Sequence, residues 1–168
     1  MNLQCRTKPG DLIFYRVTPS SSLFDKIVGI LQLLRGEGKG ATQYSHVAIV
    51  DRDTNYCIEA RWPRVRRALI DWNHPELELW RRPLGSAQAA VMLLMARNMV
   101  GDRYDLIGLI FGALGSRHRA ICTTLVRKVF ASIDIEIGAG AGKILTPSEL
   151  VADPALHHIG QNSHDTSR

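Results

Sequence analysis

Short strand-like segments follow one another through the first half of this sequence, and helical patterns replace them in the second half. The segments that are rich in β-forming residues and bounded by turns are 11–17, 44–50, 56–60, 65–70 and 76–82. Beyond them, apolar residues recur at helical spacing over 86–100 and 121–133. Strands gathered together, with the helices kept apart from them, are typical of the α+β class. We therefore predict a central antiparallel sheet with helices packed on it.

Two further segments separate the first strands. A helix with a broad apolar face is predicted over residues 23–34. The glycine-rich stretch GEGKGAT at 36–42 lacks the GxxxxGK[ST] spacing of a phosphate-binding loop, so we predict a flexible connection there.

Local signals also set the expected boundaries. Ser86 is predicted to cap the helix that follows it, and Thr146 to cap one further helical turn. We expect a single domain over residues 1–152 and a polar, partly disordered tail over 153–168.

The composition is that of a packed domain. Apolar residues make up 45% of the sequence and charged residues 22%, which excludes a chain too polar to bury a core. No stretch reaches the roughly 20 apolar residues that span a bilayer, and the longest is 106–114. Residues 1–10 lack the apolar segment of a secretory signal. We expect a cytoplasmic protein, or one that reaches an envelope or phage particle by another route, with its three cysteines as free thiols.

The sequence is basic, with a net charge of +5. Its densest basic region comprises Arg61, Arg64, Arg66, Arg67, Arg81 and Arg82. Such a region either meets an anionic surface, such as phospholipid headgroups or a cell-wall polymer, or is a solvated face. No nucleic-acid partner is expected, because no recognition motif accompanies the arginines. The sequence makes no prediction about the oligomeric state.

Three residues with reactive side chains stand in unusual surroundings. His46 lies inside the apolar segment YSHVAIV, and Glu59 lies inside the next segment, YCIEA. A buried ionisable group is costly without a partner, and strand alternation lets these two side chains project from the same face of a hairpin. Cys122 stands at the start of a predicted helix, where the helix dipole favours a thiolate.

Together these residues match the chemistry of a cysteine nucleophile. Cys122 would attack a carbonyl carbon, and His46 would take the thiol proton and later protonate the leaving group. Glu59 would orient the imidazole and stabilise its charged form. The backbone N–H of Cys122 would stabilise the oxyanion.

Each residue also has a plainer structural interpretation. A histidine in a strand is often a hydrogen-bonded core residue, and a single cysteine usually only packs. A zinc site built on His46, Glu59 and a further histidine is another alternative. His157 and His158 lack partners that would complete a ligand set, so we predict no metal and no cofactor.

Seven short motifs support the first interpretation by their order: GDLIFYR (10–16), YSHVAIV (44–50), CIEA (57–60), WRRPL (80–84), GDRYD (101–105), ICTTLV (121–126) and TPSEL (146–150). This order resembles the circularly permuted NlpC-type branch of the papain-like cysteine hydrolases, which includes relatives of lecithin:retinol acyltransferase. The resemblance covers about residues 9–151. It implies a papain-like α+β fold, with a central antiparallel sheet or half-barrel, and a triad of His46, Glu59 and Cys122.

One departure concerns the start of the cysteine helix. Many relatives have Cys-Ser-Glu there, whereas this sequence has Cys122, Thr123 and Thr124. The missing acidic residue puts in doubt any role it has in positioning the helix. Tyr104 resembles a tyrosine that lines the pocket in relatives. It is expected to contact the substrate, as a wall of the pocket or as a second oxyanion donor, and the structural alternative is a tyrosine that packs its ring and hydrogen-bonds its hydroxyl. Tyr44 and Ser45 are also expected to contact the substrate.

We therefore expect a cysteine hydrolase that cleaves an amide or ester bond through a thioester acyl-enzyme. Two substrate classes stay open: a cell-wall peptide or amide, and an acyl lipid whose chain would lie against the apolar runs 23–34 and 106–114. A lipid acyltransferase, and a non-catalytic module on the same fold that binds lipid or cell wall, are the alternative functions.

Overall fold

The computed structural model describes residues 3–17, 43–105, 119–138 and 145–162. The helix predicted over 23–34, the glycine-rich loop at 36–42 and the apolar run 106–114 lie outside these ranges. The described part belongs to the α+β class and contains an eight-stranded sheet with three α-helices.

A short 3₁₀ helix, Leu3–Arg6, precedes the sheet. The strands are β1 (Leu12–Arg16), β2 (Tyr44–Val50), β3 (Tyr56–Arg61), β4 (Arg64–Leu69), β5 (Leu77–Arg81), β6 (Arg103–Tyr104), β7 (Arg119–Ala120) and β8 (His157–Gln161). The helices are α1 (Ser86–Asn98), α2 (Cys122–Ala131) and α3 (Pro147–Val151). The strand order is β7-β6-β4-β3-β2-β1-β5-β8. Neighbouring strands are antiparallel except for β6 and β7.

Apolar side chains cover both faces of the sheet, and the central strand β2 is therefore buried along its whole length. The α-helices pack on one face, where the core includes Phe14, Val47, Ile58, Leu125 and Phe130. The opposite face holds a second cluster that includes Leu3, Ile13, Ala48, Cys57 and Leu79. Side-chain alternation therefore divides the buried strand residues between two separate cores.

The centre of the sheet has a seam between β2 and β3. Strand β1 pairs along β2, and β3 pairs with β4 over six residues. By contrast, β2 and β3 share only the register pairs Ile49–Ile58 and Val50–Cys57, next to their connecting turn. Buried Asp51 braces that turn by accepting hydrogen bonds from Arg67 and Arg97, at 2.7 and 2.8 Å. Away from the turn, side chains rather than ladder hydrogen bonds fill the seam.

The five strands of the first half and the helices containing Cys122 and Ser148 agree with the sequence prediction. Two boundaries need correction. Gly85, not Ser86, is the N-cap of α1, because its N–H donates to the Gln88 side chain at 3.0 Å. Residues 103–104 and 119–120, for which no strand was predicted, form two-residue strands that are too short to give a sequence pattern.

The predicted tail needs correction as well. Residues 157–161 form β8, which pairs with β5 and so extends the domain beyond residue 152. The segment HHIGQ is polar because β8 lies at the edge of the sheet, where only Ile159 packs against a core. No helix within the described ranges is long and apolar enough to cross a membrane.

Candidate active site

His46 and Glu59 meet across the seam. His46 Nε2 lies 2.7 Å from Glu59 Oε2, and both side chains are buried. The other carboxylate oxygen, Oε1, accepts hydrogen bonds from Nε and Nη2 of Arg66, at 2.9 and 2.7 Å. Arg66 stands directly opposite Glu59 in the β3–β4 register. Both oxygens of Glu59 are thus occupied, which fixes the carboxylate and, through it, the imidazole ring.

Cys122 completes the group at the first residue of α2. It is buried, with 7% of its surface exposed, and it lies beside His46, whose pKa its thiol helps to raise. Since Nε2 of His46 is bound to Glu59, Nδ1 is the ring nitrogen left for the thiol. The structure therefore brings together the three residues predicted as a triad, in the order thiol, imidazole, carboxylate.

Thr124 supplies the helix positioning that the missing acidic residue had put in doubt. Its hydroxyl accepts the N–H of Ile121, the N-cap of α2, at 2.9 Å. A glutamate at the third helical position makes the same bond in a capping box. A threonine in this position can therefore hold the start of the helix, and Cys122 with it.

The surroundings of His46 and Glu59 favour the charged form of both side chains, and so an ion pair between them. Burial disfavours a charged imidazole, but the hydrogen bonds and charges of Cys122 and Glu59 outweigh it and raise the pKa of His46 to about 9. Burial likewise opposes the Glu59 carboxylate, yet His46 and Arg66 lower its pKa to about 2. Hence His46 is held protonated and Glu59 ionised across the neutral pH range.

These shifts predict a stability optimum in weak acid. The Glu59 contribution is complete above its usual pKa of 4.5 and is lost as the pH falls toward 2, while the His46 contribution is complete below 6.5 and is lost as the pH rises toward 9. The pair should stabilise the fold most between these usual values. We expect urea denaturation to show a loss on the order of 2 kcal/mol on either side. The double variant His46→Gln, Glu59→Gln should lack this pH dependence, and an unchanged profile would contradict the assignment.

A polar cavity of about 180 Å³ adjoins His46 on the face of the sheet opposite the α-helices. His46, Glu59 and Ser45 line it together with Tyr15, whose ring centroid lies 5.8 Å from that of His46. A larger groove, of about 650 Å³, runs along α1, but the predicted triad does not line it.

The residues predicted to contact substrate are separated by a β-bulge. The register of β1 with β2 shifts between Tyr15 and Arg16, so that Ser45 faces the cavity while Tyr44 faces the helical core. The Tyr44 hydroxyl donates to buried Glu78 at 2.7 Å and does not reach the cavity. Tyr104 lies near Cys122: burial and the neighbouring cysteine both raise its pKa.

Tyr15 and Arg66 are site residues that sequence reasoning missed. Tyr15 is the register partner of His46, and Arg66 is that of Glu59. Correct alignment of the predicted strands would have found both, because antiparallel partners share a face.

Most of the predicted basic region is engaged in ion pairs. Arg66 binds Glu59, Arg67 binds Asp51, Arg81 binds Asp11 and Arg82 binds Asp153. These arginines therefore stabilise the fold and the site as well as adding positive charge to the surface.

Comparison with known proteins supports the fold but gives no function. No family model and no curated protein matches the sequence. Among solved structures, the chain is similar to the crystal structure of the metalloprotein yiiX from Escherichia coli O157:H7, DUF1105. The TM-score is 0.67 at 19% sequence identity, over 92% of this chain and 97% of that chain. At this identity the likeness concerns the fold alone.

The word metalloprotein in that description calls for a test of the residues in this chain. Within the described ranges, no three His, Cys, Asp or Glu side chains are arranged to hold a metal ion. His46 and Glu59 bond to each other instead of converging on a common point.

Proposed function

We propose that this protein is a cysteine hydrolase of the permuted papain-like type, which cleaves an amide or ester bond through a thioester on Cys122. The observation that carries the proposal is the position of buried His46, 2.7 Å from Glu59 and beside Cys122, whose thiol helps to raise the pKa of the imidazole. The position of Cys122 at the start of α2 supports the same conclusion, since the N-terminal end of a helix stabilises a thiolate.

The first half of the reaction acylates the enzyme. The Cys122 thiolate attacks the carbonyl carbon, so that a C–S bond forms and the carbonyl oxygen gains negative charge. The backbone N–H of Cys122 donates to this oxyanion. Protonated His46 then gives its proton to the leaving nitrogen or oxygen as the bond to carbon breaks. A thioester and a free amine or alcohol result.

The second half regenerates the enzyme. Neutral His46 takes a proton from a water molecule, which attacks the thioester carbonyl. The C–S bond breaks, the carboxylic acid departs, and the thiolate and imidazolium are restored. Glu59 stabilises the charged ring in both halves, while Arg66 keeps the carboxylate ionised and in place.

Thiol labelling tests the pair without knowledge of the substrate. We expect iodoacetamide to label Cys122 rapidly well below about pH 8.5, near which an ordinary thiol ionises. Buried Cys57 should stay unlabelled, because burial and the charge of Glu59 raise its pKa to about 12. Exposed Cys5 serves as the reference thiol. Rates are measured for each cysteine by peptide mass spectrometry between about pH 5 and 10.

His46→Ala provides the decisive comparison. If His46 holds the thiolate, its loss should move the labelling of Cys122 to higher pH while leaving Cys5 unchanged. Should Cys122 label no faster than Cys5 at low pH in the unmodified protein, no ion pair exists, and a non-catalytic binding module becomes the better interpretation.

A further inference from the structure

An aromatic side chain is exposed at one end of the sheet. Trp62 and Pro63 form the tight turn that joins β3 to β4, and 61% of the Trp62 surface is exposed. Trp72 and Trp80, by contrast, pack against the two cores. The indole of Trp62 is therefore a large apolar surface that a binding partner can cover.

A second exposed apolar side chain lies near this turn. Val100, which is 44% exposed, follows the end of α1 and directly precedes Gly101. The Gly101 N–H donates to the Val65 carbonyl at 2.9 Å, and the Gly101 carbonyl accepts from Arg64 Nη1 at 3.4 Å. These bonds hold Val100 beside the first residues of β4. Two apolar groups are thus exposed at the same end of the sheet.

Three arginines accompany these apolar groups. Arg61 and Arg64 are register partners across the hairpin, and Arg64 is also the register partner of Arg103 in β6. Antiparallel register partners share a face, so the three side chains form a row on one face of the sheet. Arg64 and Arg103 are exposed, and Arg61 is half-buried. None of the three forms an ion pair with another residue of the described ranges.

Little negative charge opposes this row. Asp102 is the one acidic residue among 61–64 and 100–104, so the three arginines exceed the acidic charge there. Glu59, further along β3, is already bonded through both carboxylate oxygens, and Asp105 is buried. This end of the sheet therefore combines exposed apolar groups with uncompensated positive charge.

We propose that this end of the sheet docks on a membrane that contains anionic phospholipids, with the Trp62 indole at the level of the headgroups and Arg61, Arg64 and Arg103 on the lipid phosphates. Tryptophan favours the membrane–water interface, because its ring is apolar while its N–H still finds a hydrogen-bond partner. Arginines near an anionic lipid surface add an attraction that salt screens. A purely anionic polymer would satisfy the arginines but leave the apolar side chains uncovered, which favours a lipid surface. The proposal goes beyond the proposed function and does not depend on it.

Vesicle binding tests the charged part of this surface. We expect the protein to sediment with vesicles of phosphatidylglycerol and phosphatidylcholine in equal parts, with an affinity at least roughly 10-fold above that for phosphatidylcholine alone. The double variant Arg64→Gln, Arg103→Gln should lower this affinity about 25-fold, since each basic residue near the surface contributes about a factor of five. The matched control is Lys8→Gln, Arg52→Gln. It removes the same charge from exposed positions on the groove along α1, and its affinity should be nearly unchanged.

The tryptophan distinguishes a membrane from an anionic polymer. Trp62→Ala should lower the affinity for the mixed vesicles about 10-fold, because the ring no longer gains from burial. Leu69→Ala is the control, since Leu69 is 71% exposed at the other end of β4. Phospholipids brominated near the top of the acyl chain should quench the tryptophan fluorescence of the bound protein. Trp62→Phe should still sediment with the vesicles but lose this quenching.

Three results would overturn the proposal. The first is equal binding to both kinds of vesicle, and the second is an equal loss of affinity in the variants and their controls. The third is bound protein whose Trp62 is not quenched. Binding of soluble polyglutamate that depends on the arginines but not on Trp62 would assign the surface to an anionic polymer instead. Circular dichroism of each variant confirms that its fold is intact.

Discussion

Cys122→Ala is expected to abolish turnover, with a loss on the order of 10⁴-fold or more, because no other group in the site can form the thioester. The substitution removes one sulfur atom at a helix start and leaves the His46–Glu59 pair in place. The fold should therefore persist. p-Nitrophenyl acetate is a suitable first substrate, since its acetyl group is transferred readily to thiolates and the acetylated cysteine can be assigned by mass spectrometry.

The control for this variant is Cys5→Ala, because Cys5 is exposed and belongs to no part of the site. It should retain full turnover and the acetyl group on Cys122. Turnover in Cys122→Ala equal to that of the unmodified protein would contradict the mechanism. If acetyl-Cys122 accumulates and is released only when an amine such as glycinamide is added, the enzyme is an acyltransferase instead of a hydrolase.

Glu59→Gln should have the second largest effect. The carboxylate is one of the groups that raise the pKa of His46 to about 9, so its neutral replacement lowers that pKa and weakens the thiolate–imidazolium pair. The rate of Cys122 alkylation near pH 6 should fall on the order of 10²-fold, since each pKa unit is a factor of ten. Above about pH 9, where thiols ionise without help, the variant should approach the rate of the unmodified protein.

Glu78→Gln is the matched control for this experiment. Glu78 is also a buried glutamate of the same sheet, on β5, but it faces the helical core and binds Tyr44 and Trp80. Its replacement should leave the pH profile of Cys122 labelling unchanged. Equal effects of the two substitutions would show that the loss reflects general destabilisation and not the charge of Glu59.

Strands with a strong burial pattern were predictable from the sequence, and weakly patterned strands were not. The boundaries of β2 follow from a continuous, mostly apolar run, and β4 was predicted to within one residue at each end. In β8, pairing depends on the backbone at the sheet edge, so its polar side chains gave no signal. Sequence patterns record which side chains are buried, and an edge strand buries few.

The same distinction holds for the site. His46 and Glu59 were predictable because a charged group inside an apolar strand is conspicuous, and Cys122 because it stands at a helix start. The side chain of Tyr44 could not be placed from the sequence, because the direction in which it faces depends on a single bulge that turns Ser45 toward the cavity. The position of Arg66 relative to Glu59 depends on how β3 and β4 align, which single-sequence patterns do not fix.

The seam between β2 and β3 has a consequence for finding the substrate. Only two register pairs next to the turn join these strands directly, so the His46–Glu59 bond bridges two halves of the sheet. A molecule that contacts residues on both halves would add a second bridge. Such a ligand raises the melting temperature, because its stabilisation of the folded state grows with the logarithm of its concentration relative to its Kd. Screening cell-wall fragments and acyl lipids by thermal shift on Cys122→Ala would therefore reveal binders before any cleavage assay exists.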